Sequence, residues 1–146
     1  MKKILFAIFF IVASLQFSFA KDEISKDYEV LPQKAKEFIS NYFPKQEFSY
    51  MKIDGRVEKK EYEVYFNSGI MIEFNHRGEW KEIESKVAPI PIKFLPPAIP
   101  EYVIMNYPNQ QIYKIDRKRW GYEIELSNEM ELLFDKDGKF KKMDDK

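Results

Sequence analysis

The chain has 146 residues, in which 24 lysines and arginines balance 24 aspartates and glutamates, with one histidine and no cysteine. Interspersed charges near zero balance argue against nucleic acid or an anionic membrane surface as the main partner. The missing cysteine excludes disulfides, thiol nucleophiles and lipid attachment through a thiol. Hydrophobic residues make up 45% and aromatics 16%, a composition that builds a packed core.

Lys2 and Lys3 open an uncharged run from Ile4 to Phe17, and Ser18-Phe19-Ala20 precede the charged Lys21-Asp22-Glu23. A basic start, an apolar stretch and small residues before a charge describe a secretory signal peptide. The run is shorter than the ~20 residues of a membrane span. Residues 1–20 are therefore expected to be cleaved after Ala20, leaving no membrane span and a periplasmic or secreted protein. Residues 21–30 carry charge without apolar periodicity and read as a mobile leader.

Pro32 suits a helix start, and Ala35, Phe38, Ile39 and Tyr42 follow at helical spacing until Pro44 stops them. The period then drops to two. Strands are expected over 47–53, 61–66, 70–74 and 79–84, joined by turns at Asn67-Ser68-Gly69 and Asn75-His76-Arg77-Gly78. Residues 86–94, with Pro89 and Pro91, form an extended linker that lays Val87, Ile90, Ile92 and Phe94 against the body.

The second half repeats the first. Leu31-Pro32, Phe38-Ile39 and Phe43-Pro44 recur as Leu95-Pro96, Tyr102-Val103 and Tyr107-Pro108; Tyr62-Glu63-Val64 returns as Tyr122-Glu123-Ile124. Residues 70–81 return as 130–141, with Gly78 matched by Gly138. Pro100 fits only the first turn of the second helix. Strands are expected over 111–116, 120–126, 130–134 and 139–143. Short turns permit only antiparallel neighbours, so the expected class is α+β. The chain is a tandem repeat of one helix plus a four-stranded meander, over residues 31–85 and 95–146.

A doubled Leu-Pro helix with an aromatic-Pro end, a Tyr-Glu-Val/Ile strand and a Phe-Asn/Asp-x-x-Gly hairpin, behind a signal peptide, resembles the PepSY-like family. This is a group of small exported bacterial proteins, also described as beta-lactamase-inhibitor-protein-like. The resemblance covers about residues 31–143. It implies two sheets joined edge to edge into one open sheet with helices on one face, and a free face with which such inhibitors grip an enzyme. No inhibitory residue carries over, since no side-chain pattern here matches one.

Chemistry finds little support in the residues. His76 lies in a hairpin turn with no nucleophile brought to it. Asp135-Lys136-Asp137-Gly138 resembles the opening of a calcium loop, but the twelfth position is Lys146, and an Asp-capped turn explains the same residues. Glu61/Glu63 and Glu123/Glu125 each share a strand face, where a solvated surface is the simpler account than an acid/base pair. No cofactor, metal site or catalytic residue is expected. The stronger feature is aromatic and apolar excess on the outward strand positions. Tyr65, Met71 and Leu133 are the first candidates, with Trp80, Tyr50, Tyr113 and Trp120 beside them, any of which a single bulge would flip; Trp120 is the weakest, because without a bulge it shares a face with the inward Tyr122. These residues either bind a partner or pack against the linker or the other copy. The expected function is a non-enzymatic binding module for a protein or peptide of the cell envelope. A small-molecule or envelope-component carrier with a pocket between helices and sheet is the alternative.

Overall fold

The computed structural model describes residues 22–144; the expected signal peptide lies outside the described residues. The fold is α+β. Among the described residues, nine antiparallel strands form one open sheet in strict chain order. They are β1 (Glu23–Ser25), β2 (Phe48–Asp54), β3 (Glu61–Phe66), β4 (Met71–Phe74), β5 (Trp80–Glu84), β6 (Ile112–Arg117), β7 (Gly121–Leu126), β8 (Glu131–Asp135) and β9 (Phe140–Asp144). Helix α1 (Gln33–Tyr42) precedes β2, and α2 (Ala98–Asn106) precedes β6.

Both helices pack on the same face of the sheet. Helix α1 buries Ala35 and Ile39, and its Phe38 ring meets Phe74 edge-on at 5.9 Å. Helix α2 buries Ile99 and Val103, and Tyr102 meets Phe134 at 5.5 Å. Pro32 stands one residue before α1, while Pro100 is the third residue of α2, where its missing N–H costs no hydrogen bond. The Phe43 and Tyr107 amides close the two helices on the Ile39 and Val103 carbonyls. Beneath the helices, Met51, Val64, Ile72, Phe74, Ile83, Ile115, Ile124, Leu132 and Phe134 make one continuous core with no accessible surface.

Strands β5 and β6 join the halves through Glu82↔Asp116, Ile83↔Ile115 and Glu84↔Lys114. The connecting segment 86–94 buries Ile90, and its Phe94 ring meets Trp80 at 5.1 Å. Of the mobile leader expected over 21–30, the described residues 22–30 are ordered against the sheet. Residues 23–25 pair with β2 as an edge strand, and a single 3-10 turn (Tyr28–Val30) follows, capped by Asp27 Oδ1 accepting from the Glu29 amide at 3.0 Å. A three-residue edge strand is held by backbone bonds on one side only. It therefore writes no apolar alternation into the sequence, and its charges blunt the exposed edge.

Candidate functional site

The sheet face opposite the helices is the candidate site, and cross-strand register orders it into rows. One row runs Tyr50, Tyr65, Met71, Glu84, Lys114, Glu125, Glu131 from β2 to β8. The next runs Lys52, Glu63, Glu73, Glu82, Asp116, Glu123, Leu133. Both rows alternate with the buried core positions, as a pleated sheet with one covered face requires.

Of the candidates from sequence, Tyr50, Tyr65, Met71 and Leu133 take half-exposed places on this face. Trp80 does not. Lys81 is an extra residue between the pairs Glu73↔Glu82 and Phe74↔Trp80, so the bulge turns Trp80 to the helix side. There it is 7% exposed, near Phe38, Phe94 and Tyr122, with the Arg117 guanidinium 5.0 Å from its ring. Tyr113 is likewise the extra residue of a bulge between Ile112 and Lys114, and the place opposite Glu125 belongs to Lys114. Trp120 is 48% exposed in the turn joining β6 and β7, at the end of the sheet and outside the rows.

The Tyr50 and Tyr65 rings stack at 4.7 Å and 11°. Tyr65 donates its hydroxyl hydrogen to Glu63 Oε2 at 2.7 Å, and Lys52 Nζ lies 5.3 Å from the Tyr65 ring. Burial, then the Glu63 carboxylate, hold the Tyr65 phenol above its ordinary range. Lys81 Nζ donates to Glu61 and Glu73 at 2.7 Å each. Lys114 lies 3.2 Å from Glu82 and 3.6 Å from Asp116, and Lys118 reaches Asp116 and Glu123 at 3.8 and 3.9 Å. At the seam between the halves, Glu84, Lys86, Lys114, Glu125, Asn128 and Met130 border an open groove of about 620 Å³.

Glu82 shows what this crowding of acids does. Burial first, then the opposing Asp116, push its carboxyl up to about 7, while Lys114 pulls the other way. A carboxyl whose folded pKa exceeds its unfolded value binds the proton better in the native state. Its contribution is full below about pH 4 and is lost as the pH rises through 7. Unscreened, such a shift is worth about 3 kcal/mol; partial exposure reduces it to about 1 kcal/mol. Glu82→Gln is expected to be more stable than the parent by about that amount at pH 8 and equal to it near pH 4, as measured by urea unfolding.

The turns that raised catalytic or metal readings hold their own polar groups. Asn75 Oδ1 accepts from the Arg77 and Glu79 amides at 2.9 and 3.0 Å, and Asp135 Oδ1 accepts from Asp137 and Lys139 at 3.0 and 2.9 Å. Those backbone donors hold the Asp135 carboxyl below its ordinary range. His76 sits exposed in the first of these turns. Among the described residues no group of three or more His, Cys, Asp or Glu side chains could hold a metal ion. No described helix is long and apolar enough to cross a membrane. The paired carboxylates do not meet in a cleft: Glu61 is bound by Lys81 and Glu63 by Tyr65. The pair that does meet, Glu82 and Asp116, comes from different halves. Nothing in either strand's pattern announces it, because its register is set by the seam.

No curated protein is significantly similar in sequence to this chain. Solved structures similar to it include three from Bacteroides species. A protein of Bacteroides vulgatus, described as a "putative periplasmic protein of unknown function", is 38% identical, with a TM-score of 0.76 over 86% of this chain and 100% of that one. A Bacteroides thetaiotaomicron protein, described as a "putative calcium-regulated periplasmic protein", is 34% identical, with a TM-score of 0.76 over 85% of this chain and 97% of its own. A second "putative periplasmic protein" of Bacteroides vulgatus is 32% identical, with a TM-score of 0.72 over 88% of this chain and 99% of its own. The family described as "Putative beta-lactamase-inhibitor-like, PepSY-like" matches residues 60–142. The chain belongs to this PepSY-like family.

Proposed function

We propose that the chain is an exported, non-enzymatic module that holds a protein or peptide on the sheet face opposite its helices. The carrying observation is that this face is uncovered and presents stacked Tyr50 and Tyr65 beside Met71, Glu84 and the seam groove. Half-buried aromatics and methionine among charges are the composition of binding surfaces. The expected signal peptide and the descriptions of its structural relatives as periplasmic proteins support a periplasmic location.

The tandem repeat belongs to the same reading. Bulges recur at Phe48/Tyr50 and Ile112/Lys114 and again at Glu73/Phe74 and Leu133/Phe134, and Gly78 and Gly138 share φ values of 76° and 85°. These matches support residues 31–85 and 95–146 as two copies joined by residues 86–94. The binding face is then asymmetric, because Tyr50 is matched by Lys114 and Tyr65 by Glu125. The carrier reading is less favoured. Phe43, Phe74, Ile99 and Phe134 fill the space between helices and sheet, and the apolar groove beside α2 amounts to about 200 Å³. The word "calcium" in one relative's description meets no ligand set among the described residues.

Site-specific photo-crosslinking in cells tests the face. A crosslinking side chain at Met71 is expected to yield a discrete adduct, and one at Ile104 on α2 none. Tyr65→Ala is expected to reduce the Met71 adduct at least about tenfold, as loss of an aromatic hot spot does, with the melting temperature nearly unchanged. Adducts confined to position 104, or an undiminished yield in Tyr65→Ala, would overturn the assignment.

A further inference from the structure

We infer that the occupant of this face is a basic segment, an extended stretch carrying lysines or arginines with an aromatic or aliphatic anchor. This rests on the face being the binding surface and adds what it binds. Glu63, Glu73, Glu82, Asp116 and Glu123 stand side by side on five successive strands, each directly opposite the next. Like charges directly opposite one another destabilise a sheet, and five in line form an unfavourable arrangement for the fold by itself. The lysines interleaved with them, Lys52, Lys81, Lys114 and Lys118, are fewer than the acids of the row. Glu61, Glu84, Glu125 and Glu131 then add further acid on either side.

With residues 1–20 cleaved, Lys2 and Lys3 leave and the exported chain keeps 22 basic and 24 acidic residues. The nine acids named here outnumber the four lysines among them, so acid is concentrated on one face of a chain that is close to neutral as a whole. A surface with an excess of one sign selects partners of the opposite sign and speeds their approach. Cations arriving over the row would offset the opposition of Glu82 and Asp116, which stand directly across from each other at the seam. The partner's apolar side chain has a place beside the row. Tyr65, Met71, Glu84 and Val87 border a second groove of about 330 Å³, which shares Glu84 and Lys86 with the seam groove. Tyr50 and Tyr65 also present ring surface to a guanidinium or ammonium, as Lys52 already shows from within the chain.

Titration of the isotope-labelled protein, followed by amide NMR, decides the matter with three peptides of equal length. One alternates lysine with phenylalanine, one replaces the lysines by glutamate, and one replaces them by serine. The basic peptide is expected to bind at least about tenfold more tightly than the serine peptide in 50 mM salt, to shift amides of β3 to β7, and to lose most of that advantage in 500 mM salt. Glu73→Gln with Glu123→Gln is expected to cut the basic peptide's affinity about tenfold and leave the serine peptide unaffected. Equal binding of the serine or glutamate peptide on this face would overturn the basic partner while leaving the face as a binding surface. Basic-peptide shifts confined to the helix side would overturn both. Absence of binding by all three peptides overturns the inference, as do concentration-dependent shifts of the face without peptide, which would make a second copy its occupant.

Discussion

Trp80→Ala is expected to cost about 3–5 kcal/mol, the range for deleting a buried aromatic, and to lower the melting temperature by roughly 10–20 °C. The indole fills a junction where four parts of the chain converge. Its ring centroid lies 6.0 Å from Phe38 of α1, 5.1 Å from Phe94 of the linker and 6.3 Å from Tyr122 of β7. Arg117 at the end of β6 covers its outer surface. Removing it leaves a void that backbone from a helix, a linker and two strands cannot close together. Circular dichroism melts and urea unfolding give the value directly. Tyr65→Ala, by contrast, removes a half-exposed ring and is expected to stay within about 1 kcal/mol of the parent. A Trp80→Ala melt no lower than that of Tyr65→Ala would put the indole back on the open face.

This contrast locates what the sequence carries and what it does not. Strand existence was legible because the apolar alternation is strong: every expected strand of both copies lies within a residue or two of its observed position. Direction along a strand was legible only as far as the first bulge. A bulge adds one residue and exchanges the two faces beyond it, and the alternation pattern does not announce it. Lys81 carries Trp80 inward in this way, and Tyr113 yields its outward place to Lys114. Comparison of the two halves held a clue. Phe140, the counterpart of Trp80, has an aromatic partner in Phe134 across the same kind of bulge. The acid row was illegible for a different reason. Each carboxylate is ordinary within its own strand, and only the register through β5 and β6 aligns Glu82 with Asp116.

Gly121→Ala is expected to destabilise the protein by about 3 kcal/mol or more, through a position where the two halves of the chain differ in hairpin length. In the first half, β2 and β3 are joined by residues 55–60, and the strand begins with Glu61. In the second, the connection is the tight turn of residues 118–120, closed by the Lys118 amide donating to the Gly121 carbonyl at 2.8 Å. Closing the hairpin with three fewer connecting residues places Gly121 at φ 154° and pulls it against β8. A Cβ there would overlap the Phe134 carbonyl oxygen and stand 2.7 Å from the carbonyl carbon and Cα of Asp135. All of these are backbone atoms, so no side chain can rotate away. The strained φ costs of order 1–3 kcal/mol and the overpacking a similar amount, a large share of the 5–15 kcal/mol that keeps a domain folded. Hydrogen exchange separates this from a general loss of stability. In Gly121→Ala the amides of β7 to β9 are expected to exchange faster than those of β2 to β4, because the misfit lies between β7 and β8. Uniform loss of protection across the nine strands would mean that the two halves unfold as one unit. An unchanged melting temperature would mean that the short hairpin can relax without a glycine, and that its shorter connection does not constrain the second half.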